Sequence, residues 1–172
     1  MSSKKEDLLI AAERLFYSNG FHAIGLKAIV KEAGVALMTL YNHFGSKEEL
    51  ILEILNRREL AYFAYLEQAQ KDETGSIGER LAAAHLLWLK NNAANGCMFL
   101  RAKEEFGNAT DQLIVQKTYA HKEQLIQFFM ASGLSYVQAI QVSLLFEGAT
   151  ALAETRDQEE IDHALMTMVH DI

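Results

Sequence analysis

Apolar residues recur along most of this chain at the 3.6-residue spacing of an amphipathic helix. Leu8, Leu9, Ala12, Leu15 and Phe16 share one inward face. Asn19-Gly20 ends that helix, with Gly20 suited to a left-handed C-cap and Phe21 to folding back over the last turn. A short helix over 26–33 carries Ile29 and Val30 inward and stops at Gly34; another over 35–44 stops at Gly45. Ser46 then caps a long helix, with Glu49 completing a capping box. The stripe Leu50, Ile51, Ile54, Leu55, Leu60, Ala61, Ala64 and Tyr65 sustains it to about residue 69. After the polar break KDETGSIG, helices are predicted over 77–94, 98–106, 111–131, 135–154 and 158–170. Gly96, Gly107-Asn108 and Ser132-Gly133 separate them. Strand-like alternation persists nowhere, and no internal repeat appears. The predicted fold is all-α, with about nine helices.

Composition agrees with that pattern. The chain has no proline, the residue that breaks helix interiors. Half of its residues are hydrophobic and 23% are charged, as in an ordinary soluble globular protein. MSSKKEDLL is followed by no long apolar stretch, so no secretion signal is expected. The longest uncharged apolar run, AAAHLLWL from Ala82, is too short to span a bilayer. A single cysteine cannot make an internal disulfide, which suits a reducing cytoplasm, the expected location. The net charge of −7 argues at first against nucleic acid. Its distribution changes the picture: the first sixty residues hold eight bases and eight acids, so the whole excess lies later.

The candidate chemistry is concentrated in VALMTLYNHFGSKEEL, from Val35 to Leu50. The turn Ala33-Gly34-Val35 is short enough to force two helices to cross steeply, as in a helix-turn-helix. The second helix of such a pair can enter the DNA major groove. Leu40 and Phe44, four apart, can anchor its inner face, while Thr39, Asn42 and His43 face outward with Tyr41 at the edge. Hydroxyls, amides and imidazoles commonly bond phosphate oxygens. Lys47 stands in the first turn of the next helix, where a cation opposes the helix dipole and a nearby phosphate would favour it.

The ordered set Ile29, Lys31-Glu32-Ala33-Gly34-Val35, Thr39-Leu40-Tyr41, His43-Phe44 and Ser46-Lys47-Glu48-Glu49-Leu50 resembles the DNA-binding signature of the TetR family of transcriptional regulators. The resemblance runs from about Lys5 to Ile54, a third of the chain. It implies a three-helix DNA-binding head over 1–48 and a helical ligand-binding and dimerisation body over 49–172. It also implies a homodimer on a palindromic double-stranded DNA operator, released by a small-molecule effector, with repression the commoner outcome. Carried over by position, Lys27, Thr39, Tyr41, His43 and Lys47 contact phosphates, and Ala36, Leu37, Met38 and Asn42 face bases. Gly25 and Val30 stand where the family often has threonine and alanine, so one phosphate-bonding hydroxyl is missing and the two helices pack further apart. Leu37 and Met38 can touch thymine methyls but cannot hydrogen-bond a base edge, which points to modest direct readout and reliance on DNA shape.

For the body, Tyr62, Phe63, His85, Trp88, Cys97, Met98, Phe99, Phe106, Tyr119, His121 and Phe128 are candidate effector contacts, with ordinary core packing as the alternative for each. Cys97 follows Gly96 at a predicted helix start, a place that favours thiol reactivity; the alternative is a small buried apolar residue. Glu104 and Glu105 beside Arg101 and Lys103 read as a solvated helix face. Val137, Ile140, Leu144, Leu145, Gly148 and Leu152 form one stripe, and Ile161, Leu165 and Met168 another. In the resembled family such a helix pair builds an isologous four-helix dimer interface. The competing classes are a helical-bundle enzyme and an interaction scaffold. The sequence lacks GxxxxGK, GxGxxG, HExxH and CxxC motifs, and Glu160-x-x-His163 occurs once where a carboxylate-bridged metal bundle needs it twice. No metal, cofactor, catalytic residue or membrane partner is expected.

Overall fold

The computed structural model describes residues 3–71, 74–92, 95–107, 112–170 and 172. Among them are nine helices: α1 (Lys4–Asn19), α2 (Leu26–Glu32), α3 (Leu37–His43), α4 (Lys47–Gln70), α5 (Ile77–Asn92), α6 (Met98–Phe106), α7 (Gln112–Ala131), α8 (Tyr136–Leu152) and α9 (Gln158–Met168). The described residues contain no strand. The expected helix limits at Ala94 and Asp111 and the break at Asn108 lie outside the described residues. The third helix begins at Leu37, two residues later than its periodicity suggests, because Val35 and Ala36 complete the preceding turn.

The local stops follow from residue chemistry. Gly34 takes φ +66, and the N–H groups of Gly34 and Val35 donate to the carbonyls of Lys31 and Val30, a Schellman closure of α2. Gly20 departs from the expected left-handed cap: φ is +87, but ψ of 163 sends the chain out extended. Phe21 still folds back, its ring 5.3 Å from that of Phe16. At the start of α4, Ser46 Oγ accepts from the Glu49 N–H at 3.0 Å, whereas the Glu49 carboxylate accepts from Gly45 rather than from Ser46 itself. The expected box is thus shifted by one residue on its return arm.

The chain forms two compact units. One comprises residues 1–58 with 98–118, the other residues 59–97 with 119–172. The first half of α4, all of α6 and the first residues of α7 group with the three N-terminal helices in this division. In the first unit α1 packs on α2 and α3. Leu8, Phe16, Phe21, Ile29, Leu40 and Leu50 are fully buried there, each contributing roughly 1.5–3 kcal/mol. Arg57 on α4 makes a fork of hydrogen bonds to Glu6 on α1, at 2.6 and 2.7 Å. The hydrogen-bonding guanidinium holds the Glu6 carboxyl below its ordinary range. In the second unit α5 packs on α8 and α9, which pack on each other. Leu66, Leu81, Phe129, Val142, Phe146, Leu165 and Val169 belong to its core. Among the described residues no helix is long and apolar enough to cross a membrane, and no group of three His, Cys, Asp or Glu side chains could hold a metal.

Candidate nucleic-acid interface

The Schellman turn at Gly34 sets α3 against α2 with little intervening chain. Leu40 and Phe44, one helical turn apart, are both buried, while Ile29 and Val30 do the same for α2. That anchoring decides which α3 side chains remain outside. Ala36, Met38, Tyr41, Asn42 and His43 are exposed, as is Lys27 on α2; Leu37, Thr39 and Lys47 are half-buried. All nine expected DNA-facing residues therefore retain accessible surface. Met38 is 68% exposed. Gly25 offers no side chain to cap α2, which begins without a side-chain hydrogen bond. Lys47 Nζ lies 5.7 Å over the Phe16 ring. Burial lowers its pKa, against the pull of Glu48 and Glu105. Its ammonium is thus partly stripped of water.

The expected effector residues are divided between the two units. Met98, Phe99 and Phe106 sit in the unit of the head, where the Phe106 ring meets Phe21 at 5.9 Å and His22 at 4.6 Å. Tyr119 is 60% exposed. The apolar face of α6 packs onto the end of α1. Tyr62, Phe63, His85, Trp88, His121 and Phe128 do form one aromatic cluster in the second unit. Tyr62 Oη is 2.8 Å from His85 Nδ1, and His85 Nε2 is 3.1 Å from the Phe146 carbonyl. With Nε2–H donating to that carbonyl, Nδ1 is left to accept from the Tyr62 hydroxyl. Burial lowers the His85 pKa to about 3 and pushes the Tyr62 phenol well above its ordinary range. Cys97 is half-buried, its Sγ 3.7 Å from Lys122 Nζ, which also pairs with Glu147. Burial opposes the Lys122 charge, yet Cys97 and Glu147 together carry its pKa above the ordinary value. A cavity of about 1000 Å³ between α4 and α5 is lined by Ala64, Tyr65, Lys71, Arg80, Leu87 and neighbours, none of them among the expected contacts.

On α8, Val137 and Leu144 are 66% and 69% exposed, Leu152 and Gly148 are also exposed, and Ile140 and Leu145 are half-buried. On α9 the expected stripe is corrected. Ile161 and Leu165 are buried in the chain's own core, packed in the unit where α9 meets α5 and α8, and only Met168 is outside. Periodicity named the apolar face of α9 but not the side from which it is covered. The residues that sequence reasoning assigned to a solvated face also differ: Arg101 and Glu105 are half-buried and bonded to the end of α1.

A three-helix head with a Schellman-closed turn and a polar outer face on its third helix defines a helix-turn-helix protein. Residues 8–54 match the family model of the bacterial regulatory proteins of the tetR family. The HTH-type transcriptional activator FasR of Mycolicibacterium smegmatis is 40% identical over 81 residues, 47% of this chain and 36% of that protein. The HTH-type transcriptional repressor NemR of Escherichia coli is 26% identical over 113 residues, 63% of this chain and 57% of that protein. The crystal structure of SCO4454, a TetR-family transcriptional regulator from Streptomyces coelicolor, shares the fold with a TM-score of 0.87 at 24% identity, over 98% of this chain and 93% of that one. The match to the two curated relatives spans between about a third and three fifths of their lengths. Residues 8–54 are thus similar to the DNA-binding region of the tetR family, and the fold of the chain is that of TetR-family regulators.

Proposed function

We propose that this protein is a transcriptional regulator that places α3 in the major groove of double-stranded DNA. The observation that carries this reading is the α3 surface: Leu40 is buried while Met38, Tyr41, Asn42 and His43 stand outside, without side-chain hydrogen bonds to the described protein. Lys27, Thr39, Tyr41, His43 and Lys47 hold the phosphates, and Ala36, Leu37, Met38 and Asn42 face the bases. With Asn42 as the one amide among the base-facing residues, Leu37 and Met38 favour thymine methyls and the rest of the specificity comes from DNA shape.

The protein acts as a homodimer, its heads meeting successive major grooves about 34–36 Å apart on a palindromic operator. The exposed apolar row of α8, with Gly148 and Ala151 allowing close approach, supports an isologous contact there, joined by Met168 of α9. A small-molecule effector binds one arrangement of the dimer more tightly than the other and releases the DNA. The regulator is a repressor in this reading. The test is selection from random duplexes by the purified protein at low and moderate salt, with sequencing of the bound fraction. The expected result is a palindrome bound with an affinity that falls steeply with salt. Sequence-independent binding, or none, refutes the reading in favour of a helical scaffold or enzyme.

A further inference from the structure

Met38 is the exposed methionine of the first unit. Residues 1–58 and 98–118 contain no cysteine and no tryptophan. Of their three methionines, Met1 lies outside the described residues and Met98 is 1% exposed, against 68% for Met38. Helix geometry holds Met38 there. It precedes the buried Leu40 by two positions, about 200° away around α3. Tyr41 and Asn42, one turn further on, are exposed as well. A soft, oxidisable sulfur is thus confined to the surface that the reading above turns to the bases.

A thioether, unlike a thiol, needs no deprotonation to act as a nucleophile. With hydrogen peroxide, the sulfur lone pair attacks one peroxide oxygen, an S–O bond forms and the O–O bond breaks. The proton on the sulfur-bound oxygen passes to the departing hydroxide. Sulfur is oxidised by two electrons and the peroxide is reduced to water. The product is a polar, chiral sulfoxide, which a pair of reductases, one for each epimer, returns to the thioether. We propose that Met38 is such a modification site, and that its oxidation by a hydroperoxide lowers the affinity of α3 for the duplex that the reduced protein selects. In the major groove a thymine edge offers a methyl group and an acceptor oxygen, but no donor. The thioether packs on that methyl; the sulfoxide oxygen must shed water there without gaining a hydrogen bond. The inference rests on the DNA-binding reading above.

The experiment exposes the full-length protein to hydrogen peroxide, follows each methionine by peptide mass spectrometry, and measures affinity for a duplex from the random selection. Dithiothreitol is added before every binding measurement; it reverses sulfenic acid or disulfide at Cys97 and leaves sulfoxide in place. Wild type with Met38 converted is expected to bind about tenfold or more weakly and to recover with the two reductases. Met38→Leu, apolar and without sulfur, is expected to show the same affinity before and after peroxide, whatever that affinity is. Bound duplex is expected to slow the oxidation of Met38 and not that of Met130, which is 38% exposed in the second unit. Full conversion of Met38 with unchanged affinity overturns the inference. So does a Met38→Leu protein that loses as much affinity to peroxide as wild type. So does a Met38 that is oxidised equally fast with and without duplex, a result that needs no variant and decides the matter if Met38→Leu does not fold or bind. A wild type that binds no duplex before oxidation is a separate result: it overturns the DNA-binding reading, and this inference with it.

Discussion

Histidine 85 links a buried side chain to the pH dependence of stability. Its ring is 4% exposed, stacked on Phe146 with centroids 4.1 Å apart, and hydrogen-bonded to Tyr62. Burial lowers its pKa from the ordinary 6.5 to about 3; the Phe146 carbonyl opposes the shift and the nearby Lys122 charge adds to it. In the unfolded chain the ring titrates near 6.5. A base whose folded pKa is depressed leaves the unfolded state as the better proton acceptor. Stability is therefore full above pH 6.5 and is lost as the pH falls, until the folded ring itself protonates near 3. Each pH unit well inside that window costs about 1.4 kcal/mol. Between pH 7 and 5 the loss from His85 alone is about 2 kcal/mol, roughly a thirtyfold change in the ratio of folded to unfolded protein. The assay is urea unfolding followed by the fluorescence of Trp88, the sole tryptophan, whose ring is 5.2 Å from Tyr62. Wild type is compared with His85→Gln, whose amide stays neutral while accepting from Tyr62 and donating to the Phe146 carbonyl. Wild type should lose about 2 kcal/mol more than the variant between pH 7 and 5. Equal losses would refute the reasoning, because a ring buried in its neutral form cannot be pH-silent.

Leu40→Ala removes a fully buried anchor of α3 and should cost about 2–5 kcal/mol, read as an earlier urea midpoint by circular dichroism. Lys27→Ala should weaken DNA binding evenly across sequences and reduce the slope of log affinity against log salt by about one, whereas Asn42→Ala should alter which duplexes are selected. Leu144→Glu sets a carboxylate in the exposed row of α8; on the proposed homodimer reading the wild type sediments as a dimer and this variant as a monomer, with the helical spectrum unchanged.

The helices were readable because their signals are local. Ile29 and Val30 inside, Gly34 at the stop and Leu40 and Phe44 four apart describe a helix pair that needs no information from the rest of the chain. Once Leu40 and Phe44 are inside, helix geometry alone leaves Met38, Asn42 and His43 outside, so the exposed surface of α3 was legible as well. The body was less so. His85 and Tyr62 are 23 residues apart and bond only because α4 and α5 bring them together. Phe106 has the composition of a pocket wall and serves as core against Phe21. Tyr119 shares its neighbours' aromatic character and lies in the open.

Periodicity and glycine placement alone determined the all-α class, the order of the helices and the orientation of α3, since each depends on contacts within a few residues. The tertiary structure alone determined that Ile161 and Leu165 face their own core, and that α6 belongs with the head. It also determined that Glu105 is a ligand for two backbone amides more than eighty residues away. An amphipathic stripe states that a face must be covered, and a carboxylate that it must be solvated or bonded. Neither states by what, because that partner is chosen by long-range packing and not by the residues on either side.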